Sequence, residues 1–248
     1  MPAMPDAPPA DHDRAAGGAQ FLTTRWSVVL EAGSHSGAAL EHLCRSYWYP
    51  VYGFIRRRGV DAELAKDATQ SFFATLLAGD GLQRVSPERG KFRTFLLASV
   101  KNSLANDWRD ANRQKRGGGC DLVSWDGLDP EDRYRHEPQE GTPEAMFDLS
   151  WAQAVVSAAL HELGEEMERD GVHSRFEALK GFLQGDGRGQ TYEAAAGRAG
   201  LSLPAVKTAI LRLRRRYGEL IRAEVAATIG PDGNVEDEIQ HLISVLSA

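Results

Sequence analysis

Only two cysteines, Cys44 and Cys120, occur in the 248 residues. They form neither a CxxC pair nor any other metal spacing, which argues against a zinc module or a disulfide framework and fits a reducing compartment. Cys44 reads as buried filler and Cys120 as an exposed residue. No apolar run is long enough to cross a bilayer, so no membrane partner is expected. Strand-like alternation of any length is missing, as is a repeat of fixed period. The start, Met1 to Gly18, lacks the cationic-then-apolar order of a signal peptide; rich in Pro, Ala and Asp, it reads as a disordered tail. HExxH, P-loop and nucleophile-elbow motifs are absent. His161, His173, Glu165 and Glu166 could be imagined as acid–base groups or metal ligands, but their pattern is that of a solvated helix face. The expectation is a non-enzyme with no cofactor and no metal.

What is present is enough apolar residue for a core, 42%, with 26% charged. The net charge of −6 argues mildly against nucleic acid, but its distribution does not. Residues 91–116 hold seven Lys/Arg against two Asp/Glu, a net of +5. Residues 203–222 hold six against one, again +5. Between them, residues 117–150 hold two Arg against nine acids, a net of −7. Over a screening length of about 8 Å each island acts as its own surface, and a basic surface attracts phosphate backbones.

Helical periodicity runs through the chain. A short helix is expected over 21–32. A strong one follows over 40–58, with Leu40, Leu43, Tyr47, Val51, Phe54 and Ile55 on one face and Pro50 interrupting it. Asp61 is a good N-cap for a helix to about Leu77 that buries Leu64, Ala65, Ala68, Phe72 and Leu76. Residues 79–90 read as a loop. A basic helix is expected over 92–115, stopped by Gly117-Gly118-Gly119. Thr142 before Pro143 marks the next start, with helices over 143–169 and 174–184. Three more follow over 192–199, 203–229 and 235–246; the last carries a stripe of Ile239, Leu242, Ile243 and Leu246. The fold class is all-α.

Thr191 to Arg216 has the form of a helix-turn-helix. Ala194, Ala195 and Ala196 permit close helix crossing, Gly200 permits the turn, and Ser202 stands where it can cap the second helix. Val206, Ile210, Leu213 and Tyr217 form its inner stripe. Lys207, Thr208, Arg212 and Arg215 lie off that stripe and can face a major groove. Arg212 to Arg216 read alone would be a solvated face; the cap, turn and stripe together favour duplex DNA. The first island, Phe92 to Arg116, mixes cations with aromatic and amide side chains, a composition suited to single strands held by stacking and charge, at about 1–3 kcal/mol per stacked base. Its first half should be buried and its second half should meet DNA.

These segments resemble a known family. Leu40 to Arg116 resembles region 2 of sigma-70-type RNA polymerase factors, and about Trp151 to Ala226 resembles region 4. Phe92-Arg93-Thr94-Phe95-Leu96 with the run Lys101 to Arg109 resembles the promoter-melting and −10 segment. Val206-Lys207-Thr208 with Leu211-Arg212-Leu213-Arg214 is similar to the −35 recognition helix. A short linker replaces region 3, as in the extracytoplasmic-function (ECF) subfamily. Phe21-Leu22-Thr23-Thr24-Arg25-Trp26-Ser27 and Lys115-Arg116-Gly117-Gly118-Gly119 resemble a divergent planctomycete-type branch.

The resemblance implies a cytoplasmic transcription initiation factor whose partners are promoter DNA and core RNA polymerase, through the β′ clamp and the β flap. It implies −10 contacts by Lys101, Asn102, Asn106, Trp108, Arg109 and Arg113. It implies −35 contacts by Ser202, Lys207, Thr208, Arg212 and Arg215, and polymerase contacts by Asp61, Glu63, Asp67 and Gln70. The acidic linker would mimic nucleic acid in a positive channel. Three positions depart from the pattern. Lys66 and Ser71 replace acids expected on the polymerase-facing helix, which makes phosphorylation of Thr69 or Ser71 a candidate way to restore charge. Ala209 replaces a usual Arg, leaving the −35 sequence open. An anti-sigma factor or a Ser/Thr kinase is a candidate regulator.

The expected organisation is a tail (1–18), a region 2-like domain (19–116), an acidic flexible linker (117–142), a region 4-like domain (143–229) and a C-terminal amphipathic extension (230–248). That extension could pack on the helix-turn-helix or bind a regulator. The rival reading is a helix-turn-helix regulator that binds duplex DNA without polymerase.

Overall fold

The computed structural model describes residues 25–34, 36–78, 81–111, 130–137, 140–183 and 189–247. The tail over 1–18, Cys120 and the triple-glycine stop lie outside them. Every regular element among the described residues is helical: α1 (Trp26–Gly33), α2 (Gly37–Arg57), α3 (Ala62–Ala78), α4 (Phe92–Ala111), α5 (Pro130–His136), α6 (Pro143–Arg169), α7 (His173–Leu179), α8 (Tyr192–Ala199), α9 (Leu203–Thr228) and α10 (Val235–Ser247). The all-α expectation holds. Short 3-10 turns at Leu82–Arg84, Pro87–Arg89 and Lys180–Phe182 join some of them.

The starts follow local chemistry. Asp61 Oδ1 accepts from the Leu64 amide at 3.0 Å, and Thr142 Oγ1 accepts from the Ala145 amide at 3.1 Å ahead of Pro143. α2 continues through Pro50, which is buried; near it Ser46 Oγ donates to the His42 carbonyl at 2.8 Å.

The first core gathers Trp26 and Val29 from α1, Leu43 to Ile55 from α2, Ala65 to Leu76 from α3, and Phe92, Leu96, Val100 and Leu104 from α4. Tyr52, Phe54, Ile55 and Leu96 are fully enclosed, and each such side chain contributes roughly 1.5–3 kcal/mol of burial. Cys44 packs against this core, and burial pushes its thiol up to about 11, so it stays protonated at neutral pH.

Long helix α6 serves three cores, and in its middle Trp151, Ala152 and Val155 pack with Val225 of α9 and Leu242 of α10. Phe147 near its start packs on Tyr47 and Phe54 of α2. Further along, Ala159 and Leu163 pack with Phe176 of α7 and with Tyr217 and Leu220 of α9. Tyr217 Oη donates to the Val156 carbonyl at 2.8 Å, pinning α9 to α6.

Three expectations need correction. The stretch read as a flexible linker, 117–142, contains α5, docked on α2. Arg56 Nε and Nη2 each donate to Glu131 at 2.8 Å, Tyr52 Oη donates to the same carboxylate at 2.6 Å, and Arg57 pairs with Glu137 at 2.9 Å. The Tyr134 ring lies under both guanidiniums, 4.7 and 5.0 Å away. Leu64, expected inside, is 58% exposed, because the inward arc of α3 is centred on Ala65, Thr69, Phe72 and Leu76. Ile243 and Leu246 of the C-terminal stripe are exposed as well. α10 turns Glu238, Ile239, Leu242 and Val245 inward, so its buried face includes a carboxylate.

Candidate nucleic-acid interface

The helix-turn-helix is built by α8 and α9. Thr191 Oγ1 accepts from the Ala194 amide at 3.2 Å and starts α8. Gly200 closes it in the left-handed region, φ 64°, where a side chain would be strained. The Leu201 amide then bonds back to the Ala196 carbonyl at 3.0 Å. Ser202 holds the N-cap position of α9 but makes no side-chain capping bond, so the capping role expected of it is not made; it is exposed. Ala195, Ala199, Val206 and Ile210 close the core between the helices with Leu179 and Phe182.

This packing sorts the basic run residue by residue. Arg214 Nε donates to the Phe182 carbonyl at 2.9 Å. Arg216 grips Glu166 with two bonds, 2.9 and 2.6 Å, and reaches Glu219 at 3.0 Å. Both serve the fold. Lys207, Thr208, Arg212 and Arg215 point to solvent. Arg215 meets only the exposed Glu219, at 3.3 Å, a surface pair worth little. Thr208 Oγ1 donates back to the Pro204 carbonyl at 3.1 Å. Leu211, 70% exposed, stands among these residues. The sequence places it in the recognition-helix motif but assigns it no contact: its lack of charge hid it in a basic run, while its place outside the 206–210–213–217 stripe was the available signal. An apolar side chain there can meet a thymine methyl group.

On α4 burial continues into the half expected on DNA, as far as Leu104. Phe92, Leu96, Val100 and Leu104 are buried, and Asn102 and Asn106 are exposed. Trp108 and Arg109 lie on the helix beyond the last described side chain, and Arg113 lies outside the described residues. Lys101 bonds Glu144 at 2.9 Å, with Arg58 3.3 Å from the same carboxylate. Lys101 above all, then a backbone hydrogen bond and least Arg58, holds the Glu144 carboxyl below its ordinary value despite partial burial.

On α3, Asp61 caps the helix, Glu63 pairs with Lys66 at 3.2 Å, Asp67 is exposed and Gln70 is half-buried. Exposed Leu64 lies amid them. Thr69 is a correction: it is fully buried and its hydroxyl donates to the Ala65 carbonyl at 2.7 Å, so no kinase reaches it in the folded protein. Ser71 is exposed. His161 and His173 lie on exposed helix faces beside Glu165 and Glu177, and the described residues hold no cluster of three or more potential metal ligands. No described helix is long and apolar enough to cross a membrane.

Residues 43–114 match the family model for sigma-70 region 2. The match covers less than a third of the chain and supports, for that segment, a relationship to the RNA polymerase sigma-70 family. No curated protein and no solved structure matches the chain.

Proposed function

We propose that the chain is a cytoplasmic ECF-type sigma factor, of a divergent planctomycete-type branch, that docks on core RNA polymerase and opens promoters. In this reading Asp61, Glu63, Asp67 and Gln70 on α3 meet the β′ clamp. Asn102 and Asn106, continued by Trp108, Arg109 and Arg113, take the −10 element, and α6–α9 act as region 4 on the β flap. Ser202, Lys207, Thr208, Arg212 and Arg215 meet the −35 duplex. The carrying observation is the outward face of α9, whose cations are left over after Arg214 and Arg216 are committed to the fold, on the same chain as a sigma-70 region 2 match. Phosphate contacts fix position and carry salt dependence, while Thr208 and Leu211 offer base-edge contacts.

The test separates this reading from a stand-alone helix-turn-helix regulator. Duplex binding is measured with and without core polymerase, for the native chain and for Lys207→Ala with Arg212→Ala. Binding that appears or sharpens with polymerase, and that the double variant abolishes, supports a sigma factor. Binding by the free chain that polymerase leaves unchanged supports the regulator. Regulation by a Ser/Thr kinase reduces to Ser71, and Ser71→Glu should then strengthen polymerase binding; an anti-sigma factor is the alternative regulator.

A further inference from the structure

The basic island of α4 is matched in the fold by carboxylates from the C-terminal half. Each of its three cations with a described side chain has such a partner. Lys101 meets Glu144 at 2.9 Å. Lys91 and Arg93, at the head of α4, share Glu238 of α10. Glu238 is 1% exposed, and its two oxygens are divided between the Lys91 ammonium and the Arg93 guanidinium. Lys91 has no other ion pair among the described residues. Arg93 is held in place independently: its guanidinium lies 3.9 Å over the Trp151 ring and its Nε lies 3.4 Å from Asp148. His241, one turn past Glu238, stacks on the same Trp151 and lies 3.6 Å from Asp148.

An ammonium and a pre-positioned guanidinium at the first turn of a 20-residue helix form a binding site for an oxyanion. The occupant here is a carboxylate delivered in cis by an acidic helix, with Glu236 and Asp237 exposed beside it. We propose that Lys91 and Arg93 are a phosphate site for the backbone of promoter DNA and that Glu238 fills this site in the free chain, so DNA must displace α10 to reach it. The proposal rests on the sigma-factor reading, since it needs α4 to lie along DNA. Displacement of α10 uncovers one fully buried apolar side chain of its own, Leu242, and the half-buried Val235, Ile239 and Val245, which pack on Trp151, Val155 and Val225.

The salt dependence of binding reads out the number of phosphates neutralised. Binding of a fluorescent single-stranded −10-type DNA by the full chain with core polymerase is titrated across a salt series. Two newly available cations should steepen the log–log salt slope by about 1.4 for a single strand. Glu238→Gln is expected to bind at least tenfold more tightly at low salt with that steeper slope. Adding Lys91→Ala should remove about half of the increment, whereas Lys91→Ala in the native chain should change little, because it loses the bridge to Glu238 in the free chain as well as the phosphate contact in the bound one. Asp237→Asn, the same charge change at an exposed neighbour, should change affinity less than twofold. If Glu238→Gln fails to fold by circular dichroism, Glu238→Asp, with a shorter reach, should give a smaller shift in the same direction. Unchanged affinity and slope in a folded Glu238 variant, while the native chain binds DNA, would overturn the proposal and leave Glu238 as a bridge only. Absence of DNA binding by every form would overturn the sigma-factor reading and this site with it.

Discussion

Removing the Glu131 charge tests how α5 is held. The Glu131 carboxylate accepts two bonds from Arg56 at 2.8 Å and one from Tyr52 at 2.6 Å. The Arg56 guanidinium is the main cause that holds this carboxyl down at about 2; burial opposes it and the Tyr52 hydroxyl assists. A carboxyl at that value against an ordinary 4.5 contributes about 3 kcal/mol, which screening lowers to about 2 kcal/mol. Because the folded value is depressed, this stability is fully present above about pH 4.5 and is lost as pH falls from there toward 2. Glu131→Gln should therefore be about 2 kcal/mol less stable than the native chain at pH 7, with the gap closing on acidification. Urea unfolding at a series of pH values measures the gap, and amide exchange over 130–137 reports detachment of α5 alone. A gap that stays constant from pH 7 to pH 2, or no gap in either measurement, would refute the reasoning.

Three further outcomes are expected. Tyr217→Phe removes the bond to the Val156 carbonyl and should cost about 1 kcal/mol by denaturant unfolding. A Cβ on Gly230 would overlap the Pro87 carbonyl, so Gly230→Ala should push the α9–α10 turn off that loop, seen as faster amide exchange over 81–90. Incubation with a Ser/Thr kinase that modifies the folded chain should label Ser71 and never Thr69, checked by mass spectrometry of the α3 peptide, because Thr69 is enclosed and Ser71 is not.

Much of the fold was legible because its signals are local. Thr142-Pro143, Thr191 and Asp61 are helix starts whose side chains or ring act within one turn, and Gly200 is a stop for a backbone reason. The 206–210–213–217 stripe is a period-3.6 pattern that one helix can display alone. What escaped depends on partners distant in sequence. α5 has Pro130 at its start, acids in its first turn and bases in its last, yet seven residues form a helix only because Arg56, Arg57 and Tyr52 receive it. Glu238 could not be recognised as buried without Lys91 and Arg93, more than 140 residues earlier. Thr69 is a different case. Its spacing from Ala65, Phe72 and Leu76 already marked the inner face, but the family resemblance drew attention to its hydroxyl. The division of the arginine run into structural and free members likewise needed Glu166 and the Phe182 carbonyl.

The central claim is that this chain directs polymerase to promoters. Core RNA polymerase, the full chain and a pooled promoter library in a run-off transcription assay test it most directly. Specific transcripts that require the chain, and that vanish with Lys207→Ala plus Arg212→Ala, are the predicted result. No transcripts, together with no co-elution of the chain with core polymerase, native or carrying Ser71→Glu, would contradict it.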